Sequence, residues 1–349
     1  MIAASALVTD NEAKPQVVER VVQQALDKAG CERAEEVLLF LTPEFSRIAA
    51  ACVTAASRSA QCLQIFGGIA AGVAHEAAWA FDRPAAVALV LADLPTQQIK
   101  TPLLSYCGRP HLPSEWCNDL PRFGLVYADS LSENETPIWQ GARLHTEHRA
   151  SLLLPGLKTD IGVSTGVILQ GPFLPVDIVI DYELRQVAGE EALHSLKAAL
   201  PAWMLEVNHL PLHFISVAVQ RHTLPTDPPH LVPIISINGN RSLTLAEKLQ
   251  PKDTIAWALR CPDTTEADMK KCVKNLATCC AQPAFGAFFS CIGRGPFFYA
   301  GEDRDWRAFR KTFPDMPFIG AYGSGQIFPS STGNLLLQNS VISVLFSSL

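Results

Sequence analysis

Continuous apolar runs of strand length are the feature of this sequence that most constrains its fold. The segments EEVLLFLT (35–42), AAVALVLADL (85–94) and NSVISVLFSS (339–348) have few polar residues inside them. Runs of this length are typical of strands buried on both faces, and they are too short to span a bilayer. The sequence therefore predicts a mixed α/β (α+β) fold, either a four-layer helix–sheet–sheet–helix sandwich or two separate sheets that touch at an edge.

The same order of elements occurs twice along the chain. A strand, a helix, a strand, a glycine-rich turn and a further strand run from EEVLLFLT to AAVALVLADL, and again from GAFFSCIGRG (286–295) to NSVISVLFSS. We therefore expect an internal duplication that gives two similar halves. The segment HTLPTDPPH (222–230) is the best candidate for a linker, and the prolines within 101–124 predict a long surface loop there.

Composition narrows the class of protein. The chain has 349 residues, enough for two domains, and its net charge of -6 without a basic run argues against nucleic-acid binding. Its ten cysteines show no regular spacing, which predicts reduced thiols in the cytoplasm. The start of the chain lacks the basic residues of a signal peptide, so we expect a cytoplasmic protein with no membrane span.

Short motifs for catalysis or metal binding are weak in this sequence. GVSTG (162–166) matches the pattern of a serine nucleophile elbow, but Pro172 and Pro175 oppose the helix that must follow it. His145 and His148 lack a third metal ligand, so exposed polar residues are the favoured interpretation. We therefore predict no catalytic residue and no metal site.

Arg294, in the segment SCIGRG (290–295), has two possible roles. Its guanidinium could bind the carboxylate or phosphate of a ligand, or it could pair with a nearby acid such as Glu302. The sequence alone leaves both hypotheses open.

Four stretches of the chain resemble one known family. GAFFSCIGRG, PFIGAYGSGQIFP, GVSTGVILQGPFLPVDIVIDYELRQVAGEEALHSL and LVPIISINGNRSLTLAEKLQPKDTIAWALR occur in the order and spacing of FIST proteins (F-box and intracellular signal transduction). The resemblance extends from about Glu36 to Leu349. It implies a FIST N-terminal domain over 1–222 and a FIST C-terminal domain over 223–349. The family is regarded as a sensory module for small ligands such as amino acids, and some members bind haem and sense nitric oxide.

This chain departs from the family pattern in three turns. IFGGIAAG (65–72) stands where relatives have a polar turn rich in Cys and Ser, so that Phe66 and Gly67 replace polar positions. The turn at Ser164 lacks the family cysteine, and Gln326 replaces a glutamate. These changes imply a ligand that is more neutral than that of other members, or no ligand.

In a duplicated sheet architecture the glycine turns of both halves can converge on one cleft, a common place for ligands. The predicted ligand-binding residues are Gly67, Gly68, Gly72, Ser164, Thr165, Gly166, Cys291, Arg294, Gly295, Tyr322, Gly323, Ser324, Gly325 and Gln326.

The favoured functional hypothesis is a non-enzymatic sensor of an amino acid or similar metabolite. We expect it to lack an output domain and to signal through a separate partner, such as a histidine kinase or a cyclic-nucleotide enzyme. A haem-based gas sensor is one alternative, with His75, His111 or a strand residue, His213, among the possible axial ligands. Two further alternatives are a hydrolase that uses Cys291 or Ser164, and a protein-interaction scaffold with a vestigial pocket.

Overall fold

A computed structural model describes residues 1–95, 101–117, 120–128, 136–206, 209–220, 227–250 and 253–348. The chain divides into two compact units. The first unit comprises residues 1–165 and 269–349, and the second comprises residues 166–268. The predicted boundary between residues 222 and 223 falls inside the second unit, and the extents of the two FIST domains stay a prediction. Residues 222–226 of the predicted linker lie outside the described residues, and its remainder, from Asp227, belongs to the second unit.

The described chain contains both helices and strands throughout its length. The strands are β1 (Ile2–Thr9), β2 (Glu36–Leu41), β3 (Ile65–Ile69), β4 (Gly72–His75), β5 (Trp79–Phe81), β6 (Ala85–Ala92), β7 (Leu103–Cys107), β8 (Arg122–Val126), β9 (Ile138–Gln140), β10 (Arg143–Leu144), β11 (Arg149–Leu152), β12 (Leu157–Ser164), β13 (Ile168–Leu169), β14 (Leu174–Ile180), β15 (Glu183–Val187), β16 (Glu190–Glu191), β17 (Ile215–Gln220), β18 (His230–Ile237), β19 (Leu243–Leu245), β20 (Thr254–Leu259), β21 (Phe285–Cys291), β22 (Phe318–Gly323), β23 (Gly325–Ser330), β24 (Gly333–Leu337) and β25 (Val341–Ser348). The helices are α1 (Pro15–Ala29), α2 (Ala49–Ala60), α3 (Ala192–Ala199), α4 (Ala202–Leu205), α5 (Pro262–Cys279) and α6 (Arg304–Thr312), and short 3₁₀ helices lie at Pro43–Ile48, Ser114–Trp116 and Leu212–Phe214.

Two sheets of the first unit share one topology. The first sheet has the strand order β1-β6-β2-β3-β9-β10, and the second has the order β12-β25-β21-β22-β4-β5. In the first sheet β6 is antiparallel to β1 and β2, and β2 is parallel to β3. In the second sheet β25 is antiparallel to β12 and β21, and β21 is parallel to β22. Four neighbouring strands thus have the same order and directions in both sheets.

The two sheets pack face to face, with helices outside. Phe40 of the first sheet meets Phe289 of the second edge-on, with ring centroids 6.1 Å apart. Helices α1 and α2 pack on the first sheet, and α1 does so through a buried stripe that begins at Val17 and Val18. Phe309 of α6 packs on the outer face of the second sheet. The predicted mixed fold, with a helix–sheet–sheet–helix arrangement, is confirmed.

Local signals explain where α1 begins and ends. Pro15 stands at its first turn, where the missing N–H costs no helical hydrogen bond. Gly30 follows its last residue with φ of +67°, the left-handed conformation of a helix C-cap, and its N–H bonds back to the last turn.

A third sheet, with the order β11-β7-β8-β23-β24, completes the first unit. Its inner face packs on both other sheets. The ring centroid of Tyr106 lies 5.7 Å from that of Phe40 in the first sheet, and the ring centroid of Phe123 lies 6.0 Å from that of Phe346 in the second. The surface loop predicted for residues 101–124 is wrong at both ends of that range, which form strands. Leu104, Tyr106 and Phe123 are buried on β7 and β8, and the prolines stand outside these strands.

The second unit is built around a closed ring of antiparallel strands. The ring runs β20-β14-β15-β19-β18-β17, and β17 pairs again with β20. Leu196 of α3 and Trp257 of β20 belong to its apolar core, and the Trp257 indole N–H donates to the Ser195 hydroxyl at 3.1 Å.

Across the described ranges of both units, no helix has the length and apolar character needed to cross a membrane.

We expect the contact between the first two sheets to dominate the stability of the first unit. Phe289→Ala should lower the free energy of unfolding by about 3–5 kcal/mol, because Phe289 is fully buried and its removal leaves a cavity. Leu63→Ala is the control, since Leu63 is 71% exposed. Urea denaturation followed by tryptophan fluorescence measures both, and equal midpoints for the two variants would contradict the sandwich.

Candidate functional site

Two of the predicted glycine turns carry the chain from one sheet to the next. After β3 the chain leaves the first sheet and enters the second as β4, and after β22 it leaves the second sheet and enters the third as β23. Gly72 lies opposite Tyr322, and the Ala71 N–H donates to the Tyr322 carbonyl oxygen at 2.9 Å. The two turns are therefore neighbours.

A third predicted turn, which follows β21, lies beside them. Cys291 pairs with Gly323 across the parallel strands, and the Ile292 N–H donates to the Gly323 carbonyl oxygen at 2.9 Å. The Cys291 thiol contacts the Ser324 carbonyl oxygen at 3.8 Å. Gly295 lies against the Tyr322 ring. Three turns thus meet at the carboxyl ends of β21 and β22, and we call this place the glycine corner.

The space that the glycines clear is filled by the protein itself. A Cβ on Gly323 would lie 2.4 Å from the Val126 carbonyl oxygen, and one on Gly67 would lie 1.8 Å from that of Leu39. Gly67 also has φ of +151°, and it lies with Gly68 inside β3 rather than in a turn. The close approach of neighbouring strands explains these glycines.

Arg294 is fully buried and bonded within the first unit. Its Nε and Nη2 donate to the two carboxylate oxygens of Asp305 at 3.0 and 2.9 Å. Its Nη1 donates to the carbonyl oxygen and the hydroxyl of Ser164, at 2.7 and 3.0 Å. The Tyr299 hydroxyl also donates to Asp305, at 2.9 Å. The guanidinium therefore joins the end of β12 to the start of α6.

Of the two hypotheses for Arg294, the geometry favours pairing with a nearby acid. That acid is Asp305, whereas Glu302 forms an exposed ion pair with Arg307 at 2.8 Å. Sequence could not choose between the two acids, because the choice depends on which side chain at the start of α6 faces inward.

The remaining predicted turn is divided between the two units. Ser164 and Thr165 end the first segment of the first unit, whereas Gly166 begins the second unit. Within the second unit, the Gly166 N–H donates to Asp268 at 2.9 Å and its carbonyl oxygen accepts from the Thr265 hydroxyl at 2.7 Å. These bonds account for the polar backbone groups of Gly166.

A second buried acid, Asp303, completes this polar network. It caps α6 by accepting the Trp306 N–H at 2.8 Å, and it accepts the Tyr322 hydroxyl at 2.5 Å. Burial, with the charge of Asp305 nearby, raises the pKa of Asp303 to about 7. We call Ser164, Arg294, Tyr299, Asp303, Asp305 and Tyr322 the Arg294 network.

Asp303, Asp305 and Tyr299 were not among the predicted site residues. A signal was present, because two acids at the start of a predicted helix, soon after a strand-end arginine, can reach back to that arginine. The tyrosine had no comparable signal.

Gln326 differs from the other predicted site residues. It follows Gly325 on β23, opposite Leu125, and its side chain therefore shares the inner face of the third sheet with Leu125. The side chain is fully buried, and neither its Oε1 nor its Nε2 has a hydrogen-bond partner in the protein. A buried polar group without a hydrogen-bond partner costs about 1–3 kcal/mol.

Comparison with known proteins identifies one domain. Residues 192–329 match the family model described as the FIST C domain. The chain carries a FIST C domain. This domain belongs to a family of sensory signal-transduction domains. The predicted resemblance to FIST proteins is therefore confirmed for residues 192–329. The FIST N-terminal domain stays a prediction.

One curated relative matches a short part of the chain. F-box only protein 22 of Pongo abelii is 36% identical over 78 residues, which are 22% of this chain and 19% of that protein. The chain thus spans about a fifth of the length of this relative.

The FIST C match includes only part of the glycine corner. Cys291, Arg294, Gly295 and the segment 322–326 lie within it, whereas Gly72 of the neighbouring turn does not. The corner therefore combines FIST C residues with residues from the start of the chain.

Two of the three histidines named for haem do not fit that group. His75 is buried, its Nδ1 contacts the backbone of Ala78, and burial lowers the pKa of its imidazole. His111 is exposed. His213 is also exposed and lies in the 3₁₀ helix Leu212–Phe214, so its predicted place in a strand is wrong. An axial haem ligand needs an apolar pocket, which the exposed His111 and His213 lack.

The residues named for hydrolysis have other contacts. Ser164 ends β12, and the strand β13 rather than a helix follows it, which is unlike a nucleophile elbow.

Among the residues that the structure describes, no cluster of three or more His, Cys, Asp or Glu could hold a metal ion. His148 contacts the Thr136 carbonyl oxygen through Nδ1 at 3.1 Å.

The Arg294 network should behave as a buried ion pair. Arg294→Met should lower the free energy of unfolding by about 3–5 kcal/mol, because it leaves the Asp305 carboxylate buried without its cation. The double variant Arg294→Met with Asp305→Leu should recover part of this loss. Arg307→Gln, which breaks an exposed pair, is the control. Urea denaturation tests the set, and equal losses from Arg294→Met and Arg307→Gln would rule the network out.

Asp303 should make stability fall as the pH rises from about 4 to about 7. Its raised pKa means that the folded protein binds this proton more tightly than the unfolded chain, where Asp titrates near pH 4. The stabilisation by the proton is complete below about pH 4 and is lost as the pH passes 7.

The measurement compares urea midpoints of the wild type and Asp303→Asn at pH 5 and pH 7.5. The difference between the two proteins isolates Asp303 from Glu36, whose pKa burial raises to about 8. The wild type should lose more stability between these pH values than the variant. Parallel pH profiles would show that Asp303 keeps an ordinary pKa.

Proposed function

We propose that this protein is a FIST-type sensory protein that binds a small polar ligand at the glycine corner. The ligand class is an amino acid or a similar metabolite, and the signal passes to a separate partner protein such as a histidine kinase or a cyclic-nucleotide enzyme. The observation that carries the proposal is the fully buried Gln326 carboxamide, whose donor and acceptor both lack a partner.

The chemistry of Gln326 sets the kind of ligand. A carboxamide offers N–H donors and one carbonyl acceptor, so its best partner presents an acceptor and a donor side by side, as an amide or a carboxylic acid does. The part of the ligand that contacts the carboxamide should be neutral, because a charge in this apolar interior would lose its hydration without an opposite charge to compensate. This agrees with the neutral amide that stands in place of the family carboxylate.

The corner has surface access and a connection to the Arg294 network. Ile292 is 40% exposed, and Ala71 and Ser324 are partly exposed, so the approach to the corner is from the carboxyl ends of β21 and β22. Tyr322, directly before Gly323, bonds to Asp303 of the network. A ligand that shifts β22 or β23 therefore also shifts this hydrogen bond.

Two further expectations belong to this proposal. All ten cysteines lie within the described residues and are free thiols, which supports a reducing compartment such as the cytoplasm. The shared strand order of the first two sheets supports an internal duplication.

Gln326→Leu should abolish ligand binding while it stabilises the free protein. Leucine removes the polar atoms without partners, so the free energy of unfolding should rise by about 1–3 kcal/mol. Native mass spectrometry of protein purified from cells, followed by thermal shift with amino acids and small carboxylates, measures binding. Gln338→Leu is the matched control, because Gln338 is exposed on the neighbouring chain segment.

Three outcomes would decide against the proposal. Equal ligand retention by the wild type and Gln326→Leu would remove the corner as the site. The absence of any bound mass or thermal shift would favour the scaffold alternative. A Soret band in the fresh protein would favour the haem alternative.

A further inference from the structure

A second place for a ligand lies at the edge of the third sheet. An open cavity of about 310 Å³ lies where β11 meets the segment around Trp116 and the hairpin β9–β10. Its wall includes Glu115, Trp116, Gln140, His145, Arg149 and Ser151, and we call it the Trp116 pocket. All of these residues belong to the first unit.

Internal hydrogen bonds hold the floor of the Trp116 pocket in place. The Arg122 guanidinium lies 4.5 Å from the centre of the Trp116 ring, and its Nη1 donates to the Ser151 hydroxyl at 2.6 Å. Asn334 donates to the Trp116 carbonyl oxygen at 2.6 Å and accepts the Arg122 N–H at 2.7 Å. A wall fixed in this way is organised before a ligand arrives.

Carboxylates, an amide and an imidazole lie at the rim of the pocket beside the Arg149 guanidinium. Arg149 donates through Nε and Nη2 to Glu147, at 2.8 and 2.6 Å, and pairs through Nη1 with Glu115. Two carboxylates therefore share one guanidinium. Gln140 uses its Nε2 to bond the Ser151 carbonyl oxygen at 2.8 Å, which leaves its Oε1 as an acceptor. His145 adds an imidazole whose Nδ1 has no protein partner.

We propose that the Trp116 pocket binds a small organic amine through its primary ammonium group. An ammonium group carries three donors and one positive charge, which suits a rim where two carboxylates share one guanidinium. Glu115 is 54% exposed and its pair with Arg149 is a surface pair, so an incoming ammonium group can replace Arg149 there at little cost. The volume is near the lower end for ligand pockets, which suits an amine of a few carbons.

This site is separate from the glycine corner and goes beyond the proposed function. Gln326 and Leu125 lie on the inner face of the third sheet, whereas Ile327 and Trp116 belong to a small apolar cluster on its other face. The variant Gln326→Leu should therefore leave amine binding unchanged, so failure of one proposal can be distinguished from failure of the other.

Saturation-transfer NMR with butylamine and butyrate tests the charge that the pocket selects. The two probes have the same chain length and opposite charge. The wild type should transfer saturation to butylamine and not to butyrate. Glu115→Gln should weaken butylamine binding roughly tenfold, the effect expected from loss of one charge-assisted hydrogen bond. Glu147→Gln is the matched control, because Glu147 pairs with the same Arg149 but is not part of the wall.

Other results would overturn the proposal. Binding of butyrate in place of butylamine would make Arg149 the ligand-binding group and the ligand an anion. Equal affinity of the wild type and Glu115→Gln would show that the amine binds elsewhere. Binding of neither probe would remove the pocket as a site for small charged ligands.

Discussion

The structure of the first unit depends on strands that have no polar face. β2, β6 and β21 are buried at every position, so neither side of their sheets can meet water. Such sheets must be covered on both sides, which places two of them face to face and the helices outside. The contact between Phe40 of the first sheet and Phe289 of the second results from this face-to-face packing.

The glycine corner follows from the same constraint. A chain that serves two packed sheets has to cross from one to the next, and it does so in short turns after β3 and β22. Where these crossings meet, backbones approach more closely than a Cβ permits, as at Gly323. Polar side chains near the corner are then buried together, and the fold must supply each with a partner. Arg294 and Asp305 satisfy one another, but Gln326 is left without one.

Sequence patterns predicted the layers because burial on both faces leaves a local signal. The apolar runs, the helical stripe of α1 and its Gly30 cap can all be recognised within a few residues. The strands β7 and β8 were missed because one pairing partner of β8, the strand β23, lies about two hundred residues away in the chain, and the prolines around them favour loops. His213 was misplaced for a similar reason, since a short helix before β17 leaves no periodic pattern.

The candidate sites were harder to predict than the fold because they depend on long-range contacts. The three turns at the corner were identified as glycine-rich. Only the packed structure shows which glycines allow a neighbouring strand to approach closely and which residues are accessible to a ligand. The Trp116 pocket combines residues from β9, β11 and the segment before β8, and His145 was interpreted from its spacing to His148 alone. The spacing of residues within one segment of the sequence cannot predict a pocket wall that is built from several segments.

Strand β23 connects the two candidate sites physically. Successive residues of a strand point to opposite faces, so Gln326 faces the interior while Ile327 packs in the cluster that contains Trp116. The third sheet therefore holds an interior polar group and an open surface pocket on opposite faces of one strand, so that each can be tested without the other.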